Sequence, residues 1–73
     1  MTRFLTAVLT REDDAYVALC PELDVASQGA GVDEARANLT EAVELFLECA
    51  DASEVAGRLH SDVLITHIEV QVA

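Results

Sequence analysis

Few residues of this chain could carry out chemistry, and their spacing fits none of the familiar catalytic or metal-binding patterns. Cys20 and Cys49 are distant in sequence from both histidines, and a reactive thiolate needs an adjacent base or a positively charged setting. His60 and His67 do not have the i, i+4 spacing of a helical metal-binding pair. Ser27 lies in no G-x-S-x-G elbow. We therefore predict a protein that is not an enzyme and that uses no metal and no cofactor.

Two short segments could still hold an ion. Residues 12–14 are Glu-Asp-Asp, but adjacent carboxylates on a turn rarely converge on one cation, and no EF-hand spacing follows. Residues 29–31 are Gly-Ala-Gly before an expected helix, which is the place of a phosphate loop, but no lysine or third glycine follows. We interpret the first segment as a solvated hairpin and the second as a break that permits positive φ.

The composition restricts the partners that this protein can have. The 73 residues include 14 acidic side chains and four basic ones, for a net charge of −10. Nucleic-acid affinity depends on basic contacts, so we expect no direct binding of DNA or RNA. The acidity indicates either simple solubility or a basic protein partner. One domain this small is marginally stable alone, and two cysteines make no disulfide scaffold, so we expect a homodimer.

The first ten residues alternate in polarity rather than forming the apolar core of a signal peptide. No apolar stretch approaches the roughly 20 residues that span a membrane. We therefore expect a cytoplasmic protein with free thiols.

Hydrophobic periodicity predicts an α+β fold of the order β-β-β-α-β. A right-handed crossover through the helix would place the last strand parallel to the first or the third. We predict pairing with the first, because that strand is apolar on both faces. The result is a three-stranded antiparallel meander plus a parallel fourth strand, order 3-2-1-4, with one helix packed on one face. Gly31 is the expected N-cap. The expected strands are residues 1–11, 15–20, 25–28 and 62–73, the helix covers residues 32–50, and a short helical turn covers residues 53–59.

Periodicity alone leaves open which face of the sheet the helix covers. Leu5, Leu9, Val17 and Leu19 form the uncovered face if they point away from the helix. Leu45 is a second open question, because it lies about 120° from the centre of the apolar stripe of the helix. It is either a lone exposed leucine, which needs no cause, or part of a subunit or partner contact.

The segment from residue 16 to residue 48 resembles the N-terminal domain of HicB-family antitoxins. The shared pattern is an aromatic and small-apolar strand, a P-E-L turn, a short strand reaching S-x-G, and a helix with E-A-x-x-N-L-x-E-A. The matching residues are Tyr16, Val17, Ala18, Pro21, Glu22, Leu23, Ser27, Gly29, Glu34, Ala35, Asn38, Leu39, Glu41, Ala42 and Glu48.

This resemblance implies a partial ribonuclease-H-like sheet and a small basic HicA-type toxin, a ribonuclease of mRNA, as the partner that the domain masks. Many family members continue into a C-terminal DNA-binding domain, and Gly31 replaces their usual Thr or Ser helix cap. We therefore predict a single HicB-like domain over residues 1–73 without a C-terminal DNA-binding domain.

The sequence thus predicts a HicB-like antitoxin domain that binds and masks a HicA-type toxin. The alternative is a small regulatory or ligand-binding module of the same fold, with its ligand in the loop of residues 29–32 or on the uncovered sheet face. The expected partner contacts combine the acidic turn after the second strand with the outward face of the helix: Glu22, Asp24, Glu41, Leu45 and Glu48.

Overall fold

The computed structural model describes residues 3–59 and 63–73 of the chain. Three strands come first and two helices follow. The elements are β1 (Val8–Glu12), β2 (Ala15–Cys20), β3 (Val25–Gly29), α1 (Val32–Cys49) and α2 (Ala52–Leu59).

The three strands form one antiparallel sheet in the order β1-β2-β3. Leu9 pairs with Ala18, and Ala18 pairs with Ser27, so these three residues lie on the same face of the sheet. Asp13 makes the tight turn between β1 and β2 with a φ of 54°, a conformation that aspartate tolerates better than most residues. The antiparallel meander is therefore confirmed.

Helix α1 begins and ends where its sequence signals predict. Gly31 is the N-cap, with extended backbone angles of φ −142° and ψ 175°, and its carbonyl accepts the first helical hydrogen bond from Ala35 N–H at 2.9 Å. Asp33 and Glu34 occupy the first turn, where the helix dipole favours negative charge. Regular structure breaks between β3 and α1, as predicted, but neither Gly29 nor Gly31 adopts the positive φ that glycine permits.

Helix α1 packs on the face of the sheet that carries Ala18 and Cys20. These two residues are buried together with Leu23, Ala35 and Leu39. Both Leu5 and Leu9 pack against this cluster, whereas Val17 and Leu19 alternate to the opposite face beside Val8. Of the four residues suggested for the uncovered face, only Val17 and Leu19 therefore belong to it.

The predicted fourth strand is absent from the described part of the chain. Residues 63–73 have no regular secondary structure, and Asp62 lies outside the described residues. The β-β-β-α-β topology and the 3-2-1-4 order are therefore wrong, and the order within the described residues is β-β-β-α-α. The alternation of residues 63–73 shows that they suit a pleated surface, but a strand forms only where a neighbouring strand pairs its backbone groups.

The first strand is shorter than predicted for a related reason. In the part of the chain that the structure describes, strand β1 pairs with β2 alone, and the last pair at this end is Val8 with Leu19. Strand β2 ends at Cys20 because Pro21 cannot donate to a ladder. Residues 3–7 thus extend past the end of their neighbour without strand structure.

Candidate protein-binding surface

Glu22 links the turn after β2 to the N-terminal segment. Its carboxylate accepts hydrogen bonds from Thr6 N–H at 2.9 Å and from the Thr6 hydroxyl at 2.7 Å, both to Oε2. Burial acts to raise the pKa of Glu22, but the hydrogen bonds from Thr6 outweigh it and hold the pKa below its ordinary value. The Glu22 carboxylate therefore accepts, at Thr6, the backbone hydrogen bond that a neighbouring strand would otherwise accept.

Cys20 lies against the same carboxylate. Its thiol donates to Glu22 Oε1 at 3.7 Å, and burial raises the pKa of this thiol, as does the nearby negative charge. The thiol therefore stays protonated and acts as a buried apolar side chain with one donor. Cys49 is also a free thiol but is exposed at the end of α1, so only Cys20 of the two thiols is buried.

Arg58 binds the other side of this turn. Its guanidinium donates to the carbonyl oxygen of Leu23, forms a 3.2 Å ion pair with Glu54, and lies 4.9 Å above the ring of Phe46. Helix α2 is thereby held against both the turn and α1. The i, i+4 spacing of Glu54 and Arg58 is typical of a helix, but nothing in the sequence points to the carbonyl that Arg58 reaches.

Asp24 closes this turn with a φ of 55° and an exposed side chain. Its contribution to partner binding stays a prediction, as does that of Glu22.

The junction between β3 and α1 explains the glycine and asparagine of the pattern. A Cβ atom on Gly29 would lie 2.6 Å from Ala35 N, so only glycine allows the helix to approach the strand this closely. The Asn38 side chain donates to Gln28 O at 2.7 Å, and Glu34 accepts from Ala30 N–H at 3.2 Å. These residues hold the helix on the sheet edge.

Glu41, Leu45 and Glu48 lie together on the outward face of α1. Their spacing of four and three residues places them side by side on a helix, and all three are exposed, with Leu45 59% accessible. The hydrogen bonds of Glu22 instead run to the N-terminal segment. The structure thus groups three of the five predicted contact residues on one helical surface, which we call the outer helix face.

Two hollows bear on the alternative of a small-ligand module. One, of about 680 Å³, lies beside the loop of residues 29–31 and is lined by the acidic residues 12–14 and Glu34, so it would repel a phosphate. The other is a groove of about 490 Å³ between residues 3–7 and α1, lined mainly by apolar side chains with Arg3, Arg36 and Glu44 at its margin. We call the second hollow the N-terminal groove. Neither hollow brings convergent polar groups together as a preformed ligand site does.

Within residues 3–59 and 63–73, no three potential metal-binding side chains come together. In the same part of the chain, no helix has the length and apolar character needed to cross a membrane.

These contacts define a small α+β domain in which one long helix lies on a three-stranded antiparallel sheet, fixed there by the P-E-L turn, Gly29 and Asn38. The chain is 34% identical over 70 residues to a UPF0150 protein of Helicobacter pylori strain J99. The match covers 94% of this chain and 97% of that protein. The chain therefore belongs to the UPF0150 family. No family model matches it, and no solved structure does.

Proposed function

We propose that this protein is a HicB-like antitoxin domain that binds and masks a small basic HicA-type toxin. The UPF0150 family is HicB-like, and a net charge of −10 suits a basic partner. The observation that carries the proposal is the outer helix face, where the exposed Leu45 lies between Glu41 and Glu48.

The family pattern itself supports this choice of surface by elimination. Glu22, Gly29, Glu34 and Asn38 belong to the pattern, yet each makes a contact within the chain. Such residues maintain the fold and have little capacity left for a partner. The outer helix face combines an exposed apolar group with carboxylates that make no hydrogen bond among the described residues.

The chemistry of this face fits a protein partner. Interfaces commonly place an apolar anchor at the centre and charged groups at the rim, where charges steer the encounter more than they add affinity. Leu45 would enter an apolar pocket of the toxin, and Glu41 and Glu48 would face its lysines or arginines. Masking of the toxin by this face requires no catalytic group on the antitoxin.

The test is a binding titration with a small basic HicA-type toxin. Glu41→Lys combined with Glu48→Lys should weaken the complex by roughly tenfold or more and flatten its salt dependence, since like charges would face each other. The matched control is Glu12→Lys combined with Asp14→Lys, because these exposed residues of the β1–β2 hairpin undergo the same charge change elsewhere. Equal weakening by both double variants would show a general charge effect and would refute this interface.

Two single variants separate the contribution of the apolar Leu45 to toxin binding from that of the turn after β2. Leu45→Ala should weaken the complex by roughly tenfold if Leu45 is the anchor, with little effect on folding because its side chain is exposed. Asp24→Asn removes the charge of the turn without disturbing the bonds of Glu22, since asparagine also tolerates the φ of 55°, and it should weaken the complex if Asp24 contacts the toxin. Unchanged binding by Leu45→Ala would assign Leu45 as a lone exposed leucine.

A further inference from the structure

The C-terminal segment, residues 63–73, exposes apolar side chains in a strand-like pattern. In an extended chain, alternate residues fall on one side. Here one side carries Leu64, Thr66, Ile68, Val70 and Val72, and the other carries Val63 and Ile65 together with His67, Glu69 and Gln71. Leu64 is 89% exposed, Ile68 81% and Val72 90%. So many aliphatic groups in water at alternate positions are unusual for an isolated soluble domain.

The dimensions of the chain show how much surface is left unburied. Its accessible area is 5970 Å², whereas a compact protein of this mass exposes about 4,400 Å². Its radius of gyration is 14.3 Å, compared with about 11 Å for a compact chain of this length. The excess area exceeds the roughly 800 Å² that each partner buries in a standard interface.

The same molecule has a place where such a segment fits. Among residues 3–59 and 63–73, strand β1 pairs with β2 alone, and no described residue pairs with its other edge. Helix α1 lies over β2 and β3, and the N-terminal groove therefore remains open next to β1 and the residues before it. Phe4, Leu5, Val43, Leu47 and Leu59 line this groove, and Phe4 is 95% exposed.

Charge also suits this pairing. The N-terminal groove and β1 carry Arg3, Arg36 and Arg11, three of the four basic residues in a strongly acidic chain. The C-terminal segment contains a single carboxylate side chain, Glu69. Glu12 of β1 and Glu44 of the groove lie here too, so basic side chains outnumber carboxylates by three to two among the residues of β1 and of the groove lining.

We propose that two copies of this chain exchange their C-terminal segments. Residues 63–73 of each copy add as a strand to the free edge of β1 in the other copy. The more apolar side, which carries Leu64, Ile68, Val70 and Val72, then covers the N-terminal groove. The side with Val63, Ile65, His67, Glu69 and Gln71 faces outward. Because the exchange is reciprocal, it closes as a two-fold dimer and satisfies both exposed edges.

This inference specifies how the expected self-association occurs and does not depend on the toxin. It is tested on the protein alone, so its failure would leave the antitoxin proposal standing. Failure of toxin binding would likewise leave the dimer intact.

The first test measures the mass of the full chain in solution. The wild-type protein should sediment as a dimer, and Ile68→Asp should raise the dimer dissociation constant by roughly tenfold or more, because it would bury an unpaired carboxylate. Gln71→Asp adds the same charge on the opposite side and should dimerise nearly as well as wild type. Since Ile68 is exposed in the single chain, the helical signal of Ile68→Asp in circular dichroism should remain.

A monomeric wild type, or equal effects of the two variants, would overturn the proposal. The second test identifies the paired segments by NMR on a mixture of isotope-labelled and unlabelled chains. Nuclear Overhauser contacts between residues 64–72 of one copy and residues 4–12 of the other, which include β1 and the segment beside the N-terminal groove, should be present. Contacts between the two C-terminal segments alone, or between residues of the uncovered sheet face, would assign a different dimer.

Discussion

At the scale of single residues, the Glu22 carboxylate binds the N-terminal segment where no neighbouring strand pairs with it. Its carboxylate accepts the backbone N–H and the hydroxyl of Thr6 and the thiol of Cys20. Thr6 belongs to the N-terminal segment and Cys20 is the last residue of β2, so the Glu22 side chain joins the N-terminal segment to the end of β2. The buried position of Leu23 beside it keeps this turn rigid.

We expect Glu22→Gln to destabilise the protein by about 1–2 kcal/mol at neutral pH, because a charge-assisted acceptor is replaced by a neutral one. The folded-state pKa of Glu22 lies below the ordinary value of 4.5. Its stabilisation is therefore complete above that value and is lost as the pH falls through the folded-state pKa. Urea unfolding at several pH values, at one protein concentration, should show the difference from wild type shrinking in acid.

The control for this prediction is Glu41→Gln, an exposed position where surface substitution should change stability by less than about 0.5 kcal/mol. A wild-type advantage over Glu22→Gln that stayed constant across the acidic range would contradict the assigned role of the Glu22 charge.

Gly29 is the other residue whose type is dictated by its surroundings. We expect Gly29→Ala to cost about 1–3 kcal/mol, since its Cβ would meet Ala35 N at 2.6 Å and overpacking forces backbone shifts. Gly57→Ala is the matched control, because no atom lies within 4 Å of that Cβ and alanine favours the helix interior by about 0.5–1 kcal/mol. Denaturant midpoints should move in opposite directions; a shift in the same direction would contradict the close-approach argument.

At the scale of elements, α2 is attached mainly through one side chain. The helix has eight residues and none is buried, so it is too short to be stable by itself. Arg58 supplies the contacts to Leu23 O and to the Phe46 ring. Leu59 adds apolar packing against the core.

We therefore expect Arg58→Gln to release α2 while α1 stays folded. Amide hydrogen exchange of Val55 to Leu59 should accelerate by roughly tenfold, corresponding to about 1.4 kcal/mol, and exchange in the centre of α1 should hardly change. Arg11→Gln, at an exposed position in β1, serves as the control. Equal acceleration in both helices would indicate that Arg58 supports the whole fold rather than α2 alone.

At the scale of the whole molecule, the net charge of −10 acts in opposite directions on the two proposed assemblies. Two copies of the chain repel each other, whereas a basic toxin is attracted. Salt weakens both long-range effects, because the Debye length falls from about 30 Å at 0.01 M to about 8 Å at 0.15 M.

Raising the ionic strength over this range should thus lower the dissociation constant of the homodimer and raise that of the toxin complex. Sedimentation measures the first, and titration calorimetry on the same sample of antitoxin measures the second. A homodimer that weakened with salt would indicate contacts made by ion pairs rather than by the apolar C-terminal segment.

The sequence by itself determined the elements whose signals are local. Helix α1 and strand β2 were predicted closely because their apolar periodicity, the cap at Gly31 and the stop at Pro21 act within a few residues. The outer helix face could be predicted for the same reason, since the period of a helix places Glu41, Leu45 and Glu48 together wherever the helix packs.

Only the tertiary structure decided which side of the sheet is covered, what Glu22 and Arg58 bind, and whether residues 63–73 pair. Leu5 and Leu9 alternate like Val17 and Leu19, and only the strand register separates the two faces. The C-terminal segment has the alternation of a strand, but pairing depends on a distant edge. The alternation of apolar and polar residues shows which side of a segment suits the buried face of a sheet. Whether the segment becomes a strand depends on where the rest of the molecule places an unpaired strand edge.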